Sequence, residues 1–175
     1  YDSLSEFSFH ISGPLMMVYW LRDLKFDYIE LAILINVSQV LGLFSMRYWG
    51  KRIDKNGSYS TIRFSSFCIA VLPMLWVGIY YIPSELTLAG SIIVASMASL
   101  MFSGRALALD NRLYEHMKNK KMIKVTSKRV FFRGLSIFIG GLIGGLLTKS
   151  ESSLSIYIEL DTVIHAVMIF STVLR

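Results

Sequence analysis

The chain has 175 residues, 54% of them hydrophobic and 17% charged, with a mean hydropathy of +0.53 and a formal net charge of +6. A water-soluble domain of this size would present a largely apolar surface, so the composition excludes an ordinary soluble fold and indicates a membrane protein. The single cysteine, Cys68, excludes an intrachain disulfide, and the lack of period-two alternation disfavours a transmembrane barrel, leaving helices to satisfy the backbone in lipid.

Charge clusters, Pro83 and a polar stretch at 149–153 divide the sequence into six apolar segments, at about 4–21, 28–49, 61–82, 86–109, 130–148 and 154–174. Each is close to the ~20 residues that cross a hydrocarbon core. The expected fold is an all-α membrane protein whose six transmembrane helices form one bundle over residues 1–175. A start at Tyr1 and a stop at Arg175 straight after an apolar run read as the edges of a piece of a longer protein.

In the first segment Glu6 and His10 lie four apart, on one helix face, and Ser12, Gly13 and Pro14 follow. Proline removes a backbone hydrogen bond and allows a kink. Ionisable groups inside a membrane helix are costly and commonly mark a pathway. His10 is therefore a candidate for contacting a solute or relaying a proton, with Glu6 as its neighbour. The other role open to the pair is headgroup contact for Glu6 and a bond to a neighbouring helix for His10.

The second segment carries Asn36 and Gln39, three apart and facing together. They suit either hydrogen bonding to a ligand or bonding between helices, the commoner use of such amides. After it comes Trp49-Gly50-Lys51-Arg52-Ile53-Asp54-Lys55-Asn56-Gly57, a charged island between two apolar runs. Gly50 permits a close helix approach, Asp54 can accept N–H groups at a helix start, and Asn56-Gly57 supplies a turn tolerant of positive φ.

Near the end of the fourth segment lies Arg105, five residues before Asp110 and so on a different face from it. It can bind an anionic group bidentately, extend to the headgroups, or pair with Asp54 or another partner. In the fifth, Gly140/Gly144 and Gly141/Gly145 are small-xxx-small steps that let helices pack closely. Arg133, near the start of that segment, is a candidate partner for Asp54. Glu159, Asp161 and His165 in the last segment read as structural groups near an interface.

Basic residues are unevenly distributed. Arg47, Lys51, Arg52, Lys55, Lys118, Lys120, Lys121, Lys124, Lys128 and Arg129 flank the second-to-third and fourth-to-fifth connections, against Arg22, Lys25 and Lys149 on the opposite ones. By the positive-inside rule, 50–57 and 116–129 are cytoplasmic loops. The lysine-rich run fixes topology and touches anionic headgroups rather than binding nucleic acid, because no aromatic residues are interleaved with it. The three histidines lie on separate segments without metal-ligand spacing, and no G-x-S-x-G elbow occurs. No metal, no cofactor and no enzymatic activity are expected.

The run Gly50 to Gly57 resembles the cytoplasmic loop signature of the major facilitator superfamily, in which Gly50, Asp54, Lys55 and Gly57 correspond to the glycine, aspartate, basic and closing glycine positions. That signature joins the second and third helices of a six-helix half, its place here. This chain departs from the pattern at Arg52, where a hydrophobic residue is common, and at Ser58 and Tyr59, where a basic pair is common. SGPLMMVYWLRDLKFDYIELAIL is similar to the start of the C-terminal half of bacterial members, and FFRGLSIFIGGLIGGLL to the fifth helix of that half.

The resemblance implies the C-terminal half of a twelve-helix secondary transporter in a bacterial-type inner membrane, working by alternating access. It makes Gly50 to Gly57 a gating loop with Arg133 as its partner. It places the first and fourth helices beside a cavity, where His10, Asn36, Gln39 and Arg105 would meet a small solute of polar or anionic character. The implied partners are the bilayer, the missing N-terminal half, that solute and a coupling proton as one option for the driving ion. A complete six-helix scaffold, or a half-size transporter pairing with itself, is the alternative.

Overall fold

The computed structural model describes residues 2–116 and 119–154. Five α-helices follow one another: α1 (Asp2–Val18), α2 (Tyr28–Asn56), α3 (Ser58–Ile79), α4 (Ser84–His116) and α5 (Asn119–Leu154), with a π turn, Tyr19–Asp23, closing α1. Among the described residues, four helices are long and apolar enough to cross a membrane, the apolar stretch of α5 being Ile123–Leu146. The expected count of six is not reached among the described residues. The α-helical part of α1 is 17 residues long, and the sixth expected segment, with Glu159, Asp161 and His165, lies outside the described residues.

The chain divides into two compact units. One comprises Tyr1–Lys25 with Lys120–Arg175, the other Phe26–Asn119.

In the second unit, α2 begins on a capping box that the sequence reading passed over. The Asp27 carboxylate accepts the Tyr28 N–H at 2.7 Å and the Glu30 carboxylate accepts the Asp27 N–H at 2.9 Å. Two carboxylates at this end also complement the helix dipole. The helix then runs well past the expected boundary at residue 49, through the whole charged island to Asn56. Residues 50–56 are the last two turns of α2 and not a loop, so Asp54 caps nothing, and α3 starts without a side-chain cap. Gly57 alone breaks the helix, at φ 79°, a conformation open to glycine. Its N–H returns to the Ile53 carbonyl at 2.8 Å. The lysine-rich stretch is likewise helical from residue 119, as the first turns of α5.

Small residues set how α2 and α4 meet. Gly42 lies against Ser99, Ser45 Oγ is 2.7 Å from Ser103 Oγ, and the Trp49 indole N–H donates to the Leu100 carbonyl at 2.8 Å while its ring covers Gly104. Numbers rise together on both helices, so the two are parallel. Helix α3 runs antiparallel to α4: Ile53 and Ile62 pack on Ala108 near one end, and Ile79 meets Gly90 near the other. Ser58, Thr61 and Ser65 give α3 a buried face of small hydroxyl residues, and Ser65 Oγ returns its proton to the Thr61 carbonyl at 2.7 Å. Such residues let backbones approach in lipid, where apolar burial between helices provides little drive.

In the first unit, Gly140 and Gly144 receive α1. A Cβ on Gly140 would lie 2.8 Å from the Phe7 carbonyl oxygen, and one on Gly144 would lie 2.5 Å from that of Ile11 and 3.2 Å from Pro14 Cδ. The small-xxx-small step expected for this pair is present, and the contact is again parallel. Gly141 has nothing within 4 Å of its added Cβ and belongs to another face. Helix α1 passes through Pro14 and ends in the π turn, where the Leu24 N–H bonds the Tyr19 carbonyl at 3.0 Å.

Candidate functional site

Two constellations of charged and polar side chains stand out, one in each unit. The first is built on the α1–α5 contact. Because Gly140 and Gly144 bring α1 close, Arg133, about two turns earlier on α5, reaches α1 and its Nη2 lies 3.0 Å from Glu6 Oε1. The other carboxylate oxygen faces His10, with Nε2 3.9 Å from Oε2. Glu6 is the most enclosed of the three, its side chain 18% exposed against 28% for His10 and 47% for Arg133.

One carboxylate is therefore held between a permanent cation and a titratable ring. The Arg133 guanidinium binds Glu6 within the first unit, and Asp54, its candidate partner from the sequence, is an exposed residue of the second.

The pair can be tested by exchange. Arg133→Gln is expected to lose about 1 kcal/mol of stability, a modest figure because the guanidinium is half exposed. The swap Glu6→Arg with Arg133→Glu should recover most of it in detergent denaturation curves. A swap as unstable as the weaker single variant would show that the ion pair does not hold α1 on α5.

The second constellation lies at the charged end of the other unit. Ser58 Oγ donates to Glu115 Oε1 at 2.8 Å, and Asn111 Nδ2 donates to Ser58 Oγ at 3.2 Å and to Glu115 Oε1 at 3.3 Å. The Arg112 guanidinium stands 5.0 Å over the Tyr59 ring. These contacts tie the start of α3 to the end of α4. Ser58 and Tyr59 are the residues where a basic pair was the familiar pattern, and they are used here for helix fastening. No family model, curated protein or solved structure matches the chain.

His10 belongs to the first unit and Asn36, Gln39 and Arg105 to the second. Within the second unit, Arg105 is buried at 6% exposure, between Gly104 under the Trp49 ring and Ala108 in the apolar cluster. Asn36 and Gln39 lie on the exposed side of α2, away from the seam of Ser38, Gly42, Ser45 and Trp49. Asn36 Nδ2 spends one donor on the Ala32 carbonyl at 2.7 Å. The amides are thus not bonding between α2 and its neighbours in this unit, and their outer faces are open to whatever lies beside α2.

Sequence reasoning missed the Trp49 anchor, the Ser58–Asn111–Glu115 cluster and the Glu6–Arg133 pair. For Trp49 a signal exists in hindsight. Ser99, Ser103 and Gly104 repeat small residues at helical spacing on α4, and Gly42 and Ser45 do so on α2.

Proposed function

We propose that this chain is the C-terminal half of a major facilitator secondary transporter of a bacterial-type inner membrane, moving a small polar or anionic solute by alternating access. Its sixth helix would then come from the last apolar segment. The observation that carries the reading is the direction of the helix contacts: α1 lies parallel to α5, α2 parallel to α4, and α3 antiparallel to α4. That alternation is expected of a chain crossing a bilayer back and forth. Within the second unit the Gly50–Gly57 turns lie at the same end as the close of α4, and the positive-inside bias of the sequence supports a cytoplasmic side for that end. On this reading Gly57 is the joint of the gating segment, with Gly50, Asp54 and Lys55 on the charged turns beside it. On the same reading Arg105 would meet the solute and His10 would relay a proton. The N-terminal half would supply the other wall of the path.

Uptake by the full-length parent protein in vesicles, measured against a solute panel with and without a proton uncoupler, tests this directly. Saturable accumulation of one solute class, reduced at least tenfold by Arg105→Ala, is the expected result. Equal uptake by vesicles with and without the protein across the panel would dismiss the transporter reading.

A further inference from the structure

Arg52 stands one turn before the end of α2, and its side chain runs back along the helix toward Tyr48 instead of outward past Gly57. The guanidinium carbon lies 4.5 Å from the centre of the Phe64 ring on α3 and 5.7 Å from that of Trp49, and Nη1 is 3.4 Å from the Tyr48 hydroxyl. Nε is buried and has no acceptor among the described residues. Trp49 cannot yield to this arrangement, because its ring is seated on Gly104 and its N–H is committed to Leu100. No described carboxylate makes an ion pair with Arg52 or with the exposed Arg47, Lys51 and Lys55 on the same end of α2.

Cation–π attraction to the two rings holds the guanidinium in place, and with Nη1 near the Tyr48 hydroxyl and Nε buried, Nη2 is left to donate to a phosphate oxygen. Tyr48 is exposed at this level, and such residues concentrate where a membrane helix passes the headgroups. The anion abundant at that level is a lipid phosphate, and three further cations nearby favour a headgroup of net negative charge. We propose that Arg52, held on Phe64 and Trp49, binds the phosphate of an anionic phospholipid in the inner leaflet. The site depends on α2 and α3 crossing a bilayer, and it holds whether or not the chain transports a solute.

The test uses the purified full chain in detergent, titrated with phosphatidylglycerol and followed by thermal shift. Arg52→Gln should weaken the apparent affinity about tenfold, Phe64→Leu about threefold, and Lys55→Gln, which removes the same charge, less than twofold. Phosphatidylcholine and the water-soluble glycerophosphoglycerol headgroup should give no comparable shift. Equal losses for Arg52→Gln and Lys55→Gln would reduce the effect to net charge and overturn the site, as would a soluble headgroup that binds as well as the lipid. Should Arg52→Gln fail to fold, Arg52→Lys keeps the charge without the planar fork. A threefold or greater loss supports the site, and a wild-type affinity overturns it.

Discussion

Gly104→Ala is expected to destabilise the α2–α4 contact by about 1–3 kcal/mol, the usual cost of forcing an atom into a filled space. The added Cβ would overlap the Trp49 indole, lying 2.5 Å from Cδ2 and 2.9 Å from Cζ2. A ring cannot shorten, and this one is 2% exposed and fixed at its other edge by the hydrogen bond to the Leu100 carbonyl. Moving it would break that bond. Gly78→Ala on α3 is the control, because nothing lies within 4 Å of its added Cβ. That change should be neutral or slightly stabilising, since alanine favours a helix by up to about 1 kcal/mol over glycine. Denaturation in mixed micelles separates the two, and equal midpoints would show that Trp49 is not locked in place.

The second large effect belongs to the other unit. Gly144→Ala would bring a methyl group 2.5 Å from the Ile11 carbonyl oxygen and 3.2 Å from both the Ile11 carbonyl carbon and Pro14 Cδ. These are backbone and ring atoms, so no rotamer change relieves the clash and α1 must shift as a body. A loss of about 1–3 kcal/mol is expected, whereas Gly141→Ala, three residues away with open space around it, should be near neutral. A shift of α1 also carries Glu6 away from Arg133. On the Gly144→Ala background, Arg133→Gln should therefore cost little more, and the shortfall from additivity measures the coupling. Full additivity would mean that the glycine contact and the ion pair are independent.

How much of this was legible in the sequence differs by feature, for physical reasons. Helical class and membrane character follow from composition, and the Gly140/Gly144 step from spacing, because both are properties of a single stretch. The end of α2 lies seven residues past the expected boundary at 49, because a charged run between apolar stretches reads as a loop. Lysine, arginine and asparagine do not break a helix, and only Gly57, with its positive φ, does. Asn36 and Gln39 share a face as predicted, but which face is decided by the small residues opposite Ser99 and Ser103. No single-helix pattern contains that information. The pairing of Arg133 with Glu6 across two helices is a tertiary fact of the same kind.

The connection between α2 and α3 has a mechanical implication. Between Asn56 and Ser58 there is one residue, so the joint contains no slack. The two helices can swing about the torsions of Gly57 as two arms share a pin, but they cannot draw apart. If the charged end of α2 is pulled, by a headgroup at Arg52 or by a neighbouring helix, the displacement reaches α3 undiminished, and α3 transmits it to the end of α4 through Ser58 and Glu115. The charged island thus acts as a lever arm whose fulcrum is a single glycine.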